Sequence, residues 1–151
     1  MNSTDFDDLL FTRVGTKAIG LEEKRHRILA HLVRMFDMDV AFVSAFTGTH
    51  RRILETQSHP RLPPFSWPDN MRCVPLAHSF CFHIASGNTP AIVPDARQEP
   101  SLDGIRDTSH MPIGGHVSVP IVLSNGDVFG MLCAFCRAPR DDLDQRVLDV
   151  F

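Results

Sequence analysis

Four cysteines and eight histidines are the side chains here that could serve as nucleophiles, redox centres or metal ligands. Cys133 and Cys136 form a C-x-x-C pair, a spacing found in metal sites and dithiol oxidoreductases. Their surroundings point elsewhere. The pair closes the apolar run that starts at Val128, no second C-x-x-C occurs, and no Gly-Pro separates the thiols. On a strand, residues three apart project to opposite faces, so these sulfurs would diverge. Both read as buried structural thiols, which behave as small hydrophobes.

His78, His83, His110 and His116, with Cys81, could supply metal or haem ligands, since neutral imidazole suits both. A closed zinc site needs ligand pairs that converge. His78 and His83 are five positions apart, about 140° around a helix rather than on one face. No metal site is expected, and these histidines read as surface or pocket-rim groups. The polar segment from Asp95 to His116 carries Asp95, Arg97, Asp103, Arg106, Asp107, Ser109 and His110. It reads either as a solvated loop or as a recognition lid, because loops on a rigid scaffold tend to carry binding residues. In the second reading Arg97 or Arg106 could grip an anionic group bidentately.

The elements that must position these residues follow from periodicity. Residues 1–20 show no sustained period and are expected to be a flexible leader. Leu21, Ile28, Leu29, Leu32, Val33 and Phe36 recur at helical spacing, with Glu22, Glu23, Lys24, Arg27 and Arg34 opposite them, which predicts an amphipathic helix. Val40–Phe46 is β-branched and aromatic, a buried strand, and Arg51–Gln57 is a second, more exposed one. His59–Asp69 holds four prolines and is a loop. Leu76–Ser86 reads as a helix with Leu76, Phe80 and Ile84 on one face and Gly87 ending it. Thr89–Val93 is a short strand, and Ala96–Gly114 a long loop with room for one short helix.

Val117, Val119 and Ile121 alternate with polar positions and Pro120. Asn125-Gly126 then separates them from the apolar strand Val128–Phe135, the signature of a hairpin. Pro120 cannot donate to a ladder, so it belongs at an unpaired edge or a bulge. Arg140-Asp141-Asp142 is expected to open a last helix carrying Leu143, Val147 and Val150, and that pattern stops at Phe151 unfinished. This order gives an α+β domain, an antiparallel sheet with helices packed on it.

The chain has 151 residues, enough for one domain with one core. Its formal net charge of −3 and short, interrupted basic clusters leave no footprint for nucleic acid. No apolar run approaches the roughly 18–20 residues of a membrane span. The acidic N-terminus lacks the basic and apolar regions of a signal peptide. A soluble, cytoplasmic protein is expected.

In this order, four segments resemble the GAF family of small-molecule sensory domains. His78-Ser79-Phe80-Cys81 is similar to the Ser-Phe-Cys segment of GAF domains in bacterial signalling proteins. Thr89-Pro90-Ala91-Ile92-Val93-Pro94-Asp95-Ala96, followed by Glu99-Pro100, resembles the family's P-x-x-V-x-D-A stretch. Ser118-Val119-Pro120-Ile121 is similar to its penultimate strand. Asn125-Gly126-Asp127-Val128-Phe129-Gly130-Met131-Leu132-Cys133 is similar to its G-x-x-x-G-x-L-C strand. The likeness covers about Leu21 to Phe151, with the last helix cut short.

The resemblance implies a GAF/PAS-like central antiparallel sheet of five to six strands, ordered 2-1-5-4-3 or a close variant. Terminal helices would cover one face, and a ligand pocket would occupy the other. The pocket would be served by His78, Phe80, Cys81, Asp95, Arg97, Arg106, His110 and His116, with no catalytic residue, no metal and no certain cofactor. Its function would be sensory or regulatory: binding an unidentified small molecule and dimerising to control an output domain, such as a histidine kinase or cyclic-dinucleotide enzyme. The homodimer would form mainly through the helix Leu21–Phe36, with the outer stripe Leu143, Val147 and Val150 helping. In bilin-binding relatives a cysteine beside a histidine holds the pigment; here Phe82 separates Cys81 from His83 and the chain has no Tyr. The same fold hosts reductases of free methionine sulfoxide. In that alternative Cys73 and Cys81 are the thiols expected to flank the pocket, although the glycine-rich and acidic segments of those enzymes are not visible.

Overall fold

The computed structural model describes residues 21–105 and 113–150. The expected leader and the candidates Arg106 and His110 lie outside the described residues. Helix α1 spans Leu21–Met35. Leu29, Leu32 and Val33 are buried, while Glu23, Arg27, His31 and Arg34 face solvent, so its one apolar stripe is spent on its own sheet. The chain leaves α1 through Asp37 at φ 53°, and the Met38 amide donates to Val33 O over 2.9 Å.

The strands are β1 Val40–Phe46, β2 His50–Ser58, β3 Cys73–Pro75, β4 Ile92–Val93, β5 His116–Val122 and β6 Val128–Phe135. They form one sheet in the order β3-β2-β1-β6-β5-β4, and every neighbouring pair is antiparallel. Without β3, this is the expected 2-1-5-4-3 arrangement. β3 is an addition at the edge: three residues ending in proline carry no alternation to read.

Alternation on β6 divides the interior in two. Met131, Cys133 and Phe135 face one cluster, with Phe42, Trp67, Phe80 and Leu102. Leu132 and Ala134 face the other, with Leu29, Leu32 and Val33 of α1 and Leu143 and Val147 near the C-terminus. Cys133 and Cys136 fall into opposite clusters, as their spacing predicts.

Three local readings need correction. The segment Leu76–Ser86 is not one helix. A 3-10 turn, Leu76–His78, gives way to extended Ser79 at ψ 124°, and only then does α2, Phe80–Ala85, begin. The last helix, α3, spans Gln145–Val150, because Arg140–Asp142 are engaged elsewhere. Leu143 and Val147 are 7% and 8% exposed, so the outer stripe expected to be free is buried, leaving Val150 exposed. The expected hairpin between β5 and β6 is present: Gly126 takes positive φ (91°) in its turn, and the Asn125 side chain accepts from the Asp127 amide over 2.9 Å.

Two sequence features find their cause. β4 pairs only with His116 and Val117, so exposed Pro120 lies beyond its end, beside the irregularity at Ile121/Val122. Gly130 sits where β1 crowds β6: a Cβ there would lie 1.8 Å from the Ser44 carbonyl oxygen.

Candidate functional site

The sheet face away from α1 and α3 is covered by α2 and the turns Ala96–Gln98 and Pro100–Leu102. Ser79 sets the entry to α2, its Oγ accepting from the Phe82 amide over 3.2 Å, which satisfies one open helix donor. Phe80 and Cys81 then enter the interior, where β5 presents His116 and Ser118 and β6 presents Cys133.

Phe80 stacks on His116, ring centroids 3.9 Å apart and planes at 24°. His116 is fully buried, and desolvation pushes its pKa down to about 3, so the ring is neutral near pH 7. Its Nδ1 lies 3.3 Å from Ser118 Oγ, which donates to Cys133 Sγ over 3.1 Å. Its Nε2 is buried with no hydrogen-bond partner among the described residues. The Cys133 and Cys81 sulfurs are 3.5 Å apart. Burial, reinforced by Cys81, pushes the Cys133 thiol well above its ordinary value against the opposing pull of Ser118 and Arg51. Next to this chain of polar atoms, Phe42, Phe65, Trp67 and Phe135 meet edge to face.

Of the candidates, Phe80, Cys81 and His116 come together. His78 is half-buried in the turn before α2. Asp95 and Arg97 hold the loop itself: Asp95 Oδ1 accepts from the Arg97 amide, and the Arg97 guanidinium donates to Arg137 O over 3.0 Å. Cys73, expected as the thiol partner of Cys81, is exposed on edge strand β3; the sulfur beside Cys81 belongs to Cys133. The sequence reading also missed Arg51. In the sequence Arg51 stands beside Arg52 as one of the short basic clusters, yet it is fully buried, donates to Met71 O and lies 5.3 Å from the Trp67 ring centre. Nothing in the local pattern separates the two arginines except strand alternation. Among the described residues, no group of three or more His, Cys, Asp or Glu could hold a metal ion, and no helix is long and apolar enough to cross a membrane.

The GAF domain family model matches residues 21–151. The chain belongs to the GAF domain family. Solved structures share its fold at low identity. The GAF domain of the Acinetobacter phosphoenolpyruvate-protein phosphotransferase is 11% identical with a TM-score of 0.65, over 99% of this chain and 89% of that one. The type II free methionine-R-sulfoxide reductase of Thermoplasma acidophilum is 9% identical with a TM-score of 0.64, over 85% and 82%. The chromophore-binding domain of a bacteriophytochrome from R. palustris is 15% identical with a TM-score of 0.61, over 97% and 55%. None of the curated proteins matches the chain in sequence. Sensors and enzymes alike build this GAF fold, so function has to be argued from the site.

Proposed function

We propose that this GAF domain is a sensory or regulatory module, not an enzyme, and that it binds a small molecule on the α2 face of its sheet. The observation that supports this is His116, a buried neutral ring with one nitrogen unpartnered among the described residues. Leaving such an atom unmade costs about 1–3 kcal/mol, which a ligand's polar atom would recover. Amide chemical-shift mapping with a small-molecule library tests the reading. Shifts should cluster at Phe80, Cys81, Ser118 and Trp67 and vanish in His116→Phe. Ligands that perturb only the α1 and α3 side would overturn it.

In this reading the domain works as a homodimer that biases an output domain. Since α1 buries its own stripe, the supporting surface is the groove of about 340 Å³ lined by Met35, Phe36, Leu143 and Val147 together with the charged Asp37, Arg140 and Asp142, with exposed Val150 one turn beyond Val147. Light scattering should give a dimer mass that Met35→Glu with Val150→Glu reduces to a monomer. A monomeric unmodified chain ends that part.

One observation favours a reductase of free methionine sulfoxide as a second reading: the 3.5 Å contact of two thiols on the same face. Such an enzyme would pass the sulfoxide oxygen to water while two thiols become a disulfide. Turnover with a thiol reductant that disappears in Cys81→Ser would establish it against the sensory reading.

A further inference from the structure

We propose that Cys81 and Cys133 are a dithiol site that a small peroxide oxidises to an intramolecular disulfide, fastening α2 to the central strand β6. The sulfurs already touch at 3.5 Å. A disulfide needs about 2.05 Å, so closure asks for about 1.5 Å of movement shared between a six-residue helix and a strand. Neither sulfur has a rival: Cys73 is exposed on the sheet edge and Cys136 packs in the opposite cluster. The proposal needs no ligand, so it stands apart from the sensory reading; it shares its thiol pair with the reductase reading, from which oxidation by peroxide in the absence of methionine sulfoxide separates it.

The chemistry can be followed atom by atom. Cys133 lies in the middle of the sheet, whereas Cys81 is carried by the six-residue α2, which is flanked by extended Ser79 and by Gly87 at φ 81°. When α2 opens, the Cys81 thiolate attacks one peroxide oxygen and the O–O bond breaks. The other oxygen leaves as hydroxide and is protonated to water, and Cys81 becomes a sulfenic acid. When α2 closes, Cys133 sulfur attacks Cys81 sulfur and the S–O bond breaks. The departing hydroxyl takes the Cys133 proton and leaves as a second water. Two thiols lose two electrons, and one hydrogen peroxide becomes two waters.

Burial makes the site slow and selective: the thiol pair is shielded until α2 opens, and large oxidants are excluded from it. Closure would also move Phe80, the neighbour of Cys81, against His116, so the oxidation state would be written into the face that carries the candidate site.

The experiment uses the full folded chain and excess hydrogen peroxide. Intact mass should fall by about 2 Da, and thiols titrated after denaturation should drop from the four present to about half. Digestion without reductant should yield a Cys81–Cys133 linked peptide, and dithiothreitol should reverse every change. The rate should rise with pH, and Trp67 fluorescence should change on the same time course. Cys73→Ser with Cys136→Ala leaves the pair intact and should behave identically, while Cys81→Ala and Cys133→Ala should show no loss. A linkage through Cys73 or Cys136, mass gains in steps of about 16 Da without a linkage, or a disulfide that forms only in urea would each overturn the proposal.

Discussion

The imidazole of His116 lies flat against Phe80, 3.9 Å between ring centres, and this contact joins α2 to β5 at the centre of the candidate site. It also fixes a pH dependence. An unfolded imidazole takes up its proton near pH 6.5, the folded His116 only at about 3, because burial penalises the charged ring. Between those values the unfolded chain holds the extra proton. His116 therefore contributes its full stability above about pH 6.5 and loses it progressively as pH falls toward 3, at up to about 1.4 kcal/mol per pH unit. Urea midpoints at about pH 7 and about pH 4.5 should diverge in the unmodified protein and converge in His116→Gln. Asp142, held at about 2 by the Arg140 guanidinium, titrates below that window and leaves the comparison clean. An equal pH slope in both proteins would contradict the assignment.

Gly130 and Gly126 should respond very differently to alanine. At Gly130 the new methyl would lie 1.8 Å from Ser44 O, so β1 and β6 must separate in the middle of the sheet. A loss of about 3 kcal/mol is expected, the upper end of what core overpacking costs. At Gly126 the space is open and only the φ of 91° opposes a side chain, a cost of roughly 1–2 kcal/mol. Denaturant unfolding of both variants checks the ranking, and equal losses would refute the close approach.

These glycines show where the sequence was readable. Gly126 announced its hairpin because turn chemistry is local, and the alternating strands on either side of it were equally plain. Gly130 was visible only as part of a family pattern; its reason lies 86 positions away, at Ser44. The same distance problem hid the site. Phe80, Cys81 and His116 could be named from the sequence, but the contact of Cys81 with Cys133 depends on α2 being laid across β6, which no window of residues encodes. The break at Ser79 went unseen because an extended cap leaves helical spacing nearly undisturbed on both sides. Asp95 and Arg97 were legible as polar loop residues, yet whether such a charge meets a ligand or its own backbone is decided by tertiary placement.

Arg140 ties the end of α1 to the C-terminal segment. Its guanidinium donates to Phe36 O over 3.1 Å and Asp37 O over 2.9 Å, carbonyls that the helix leaves open, while Asp142 orients it from 2.7 Å. Arg140→Ala should cost about 2–3 kcal/mol, and amide exchange should accelerate first in the last turn of α1. Lysine at this position should recover little, since its ammonium lacks the planar fork that meets both carbonyls and the Asp142 carboxylate at once. Asp142→Asn should cost far less than Arg140→Ala because its carboxylate is largely in solvent. Unchanged exchange in α1 of Arg140→Ala would dismiss the tie.

Arg51 and Arg52 give the sharpest contrast, because they are neighbours of one type in one strand. Arg52 is exposed, whereas Arg51 is fully buried, 5.3 Å from the centre of the Trp67 ring and donating to Met71 O over 3.2 Å. A planar guanidinium can stack and hydrogen-bond at once, which an ammonium cannot. Arg51→Lys should therefore cost about 2–4 kcal/mol despite keeping the charge, since it leaves buried groups without their donor. Arg52→Lys should stay within about 0.5 kcal/mol, as surface changes do. Trp67 is the single tryptophan, so its emission should shift in the first variant and not in the second. Similar behaviour of the two variants would place Arg51 outside the aromatic cluster and remove the buried cation from this face of the sheet.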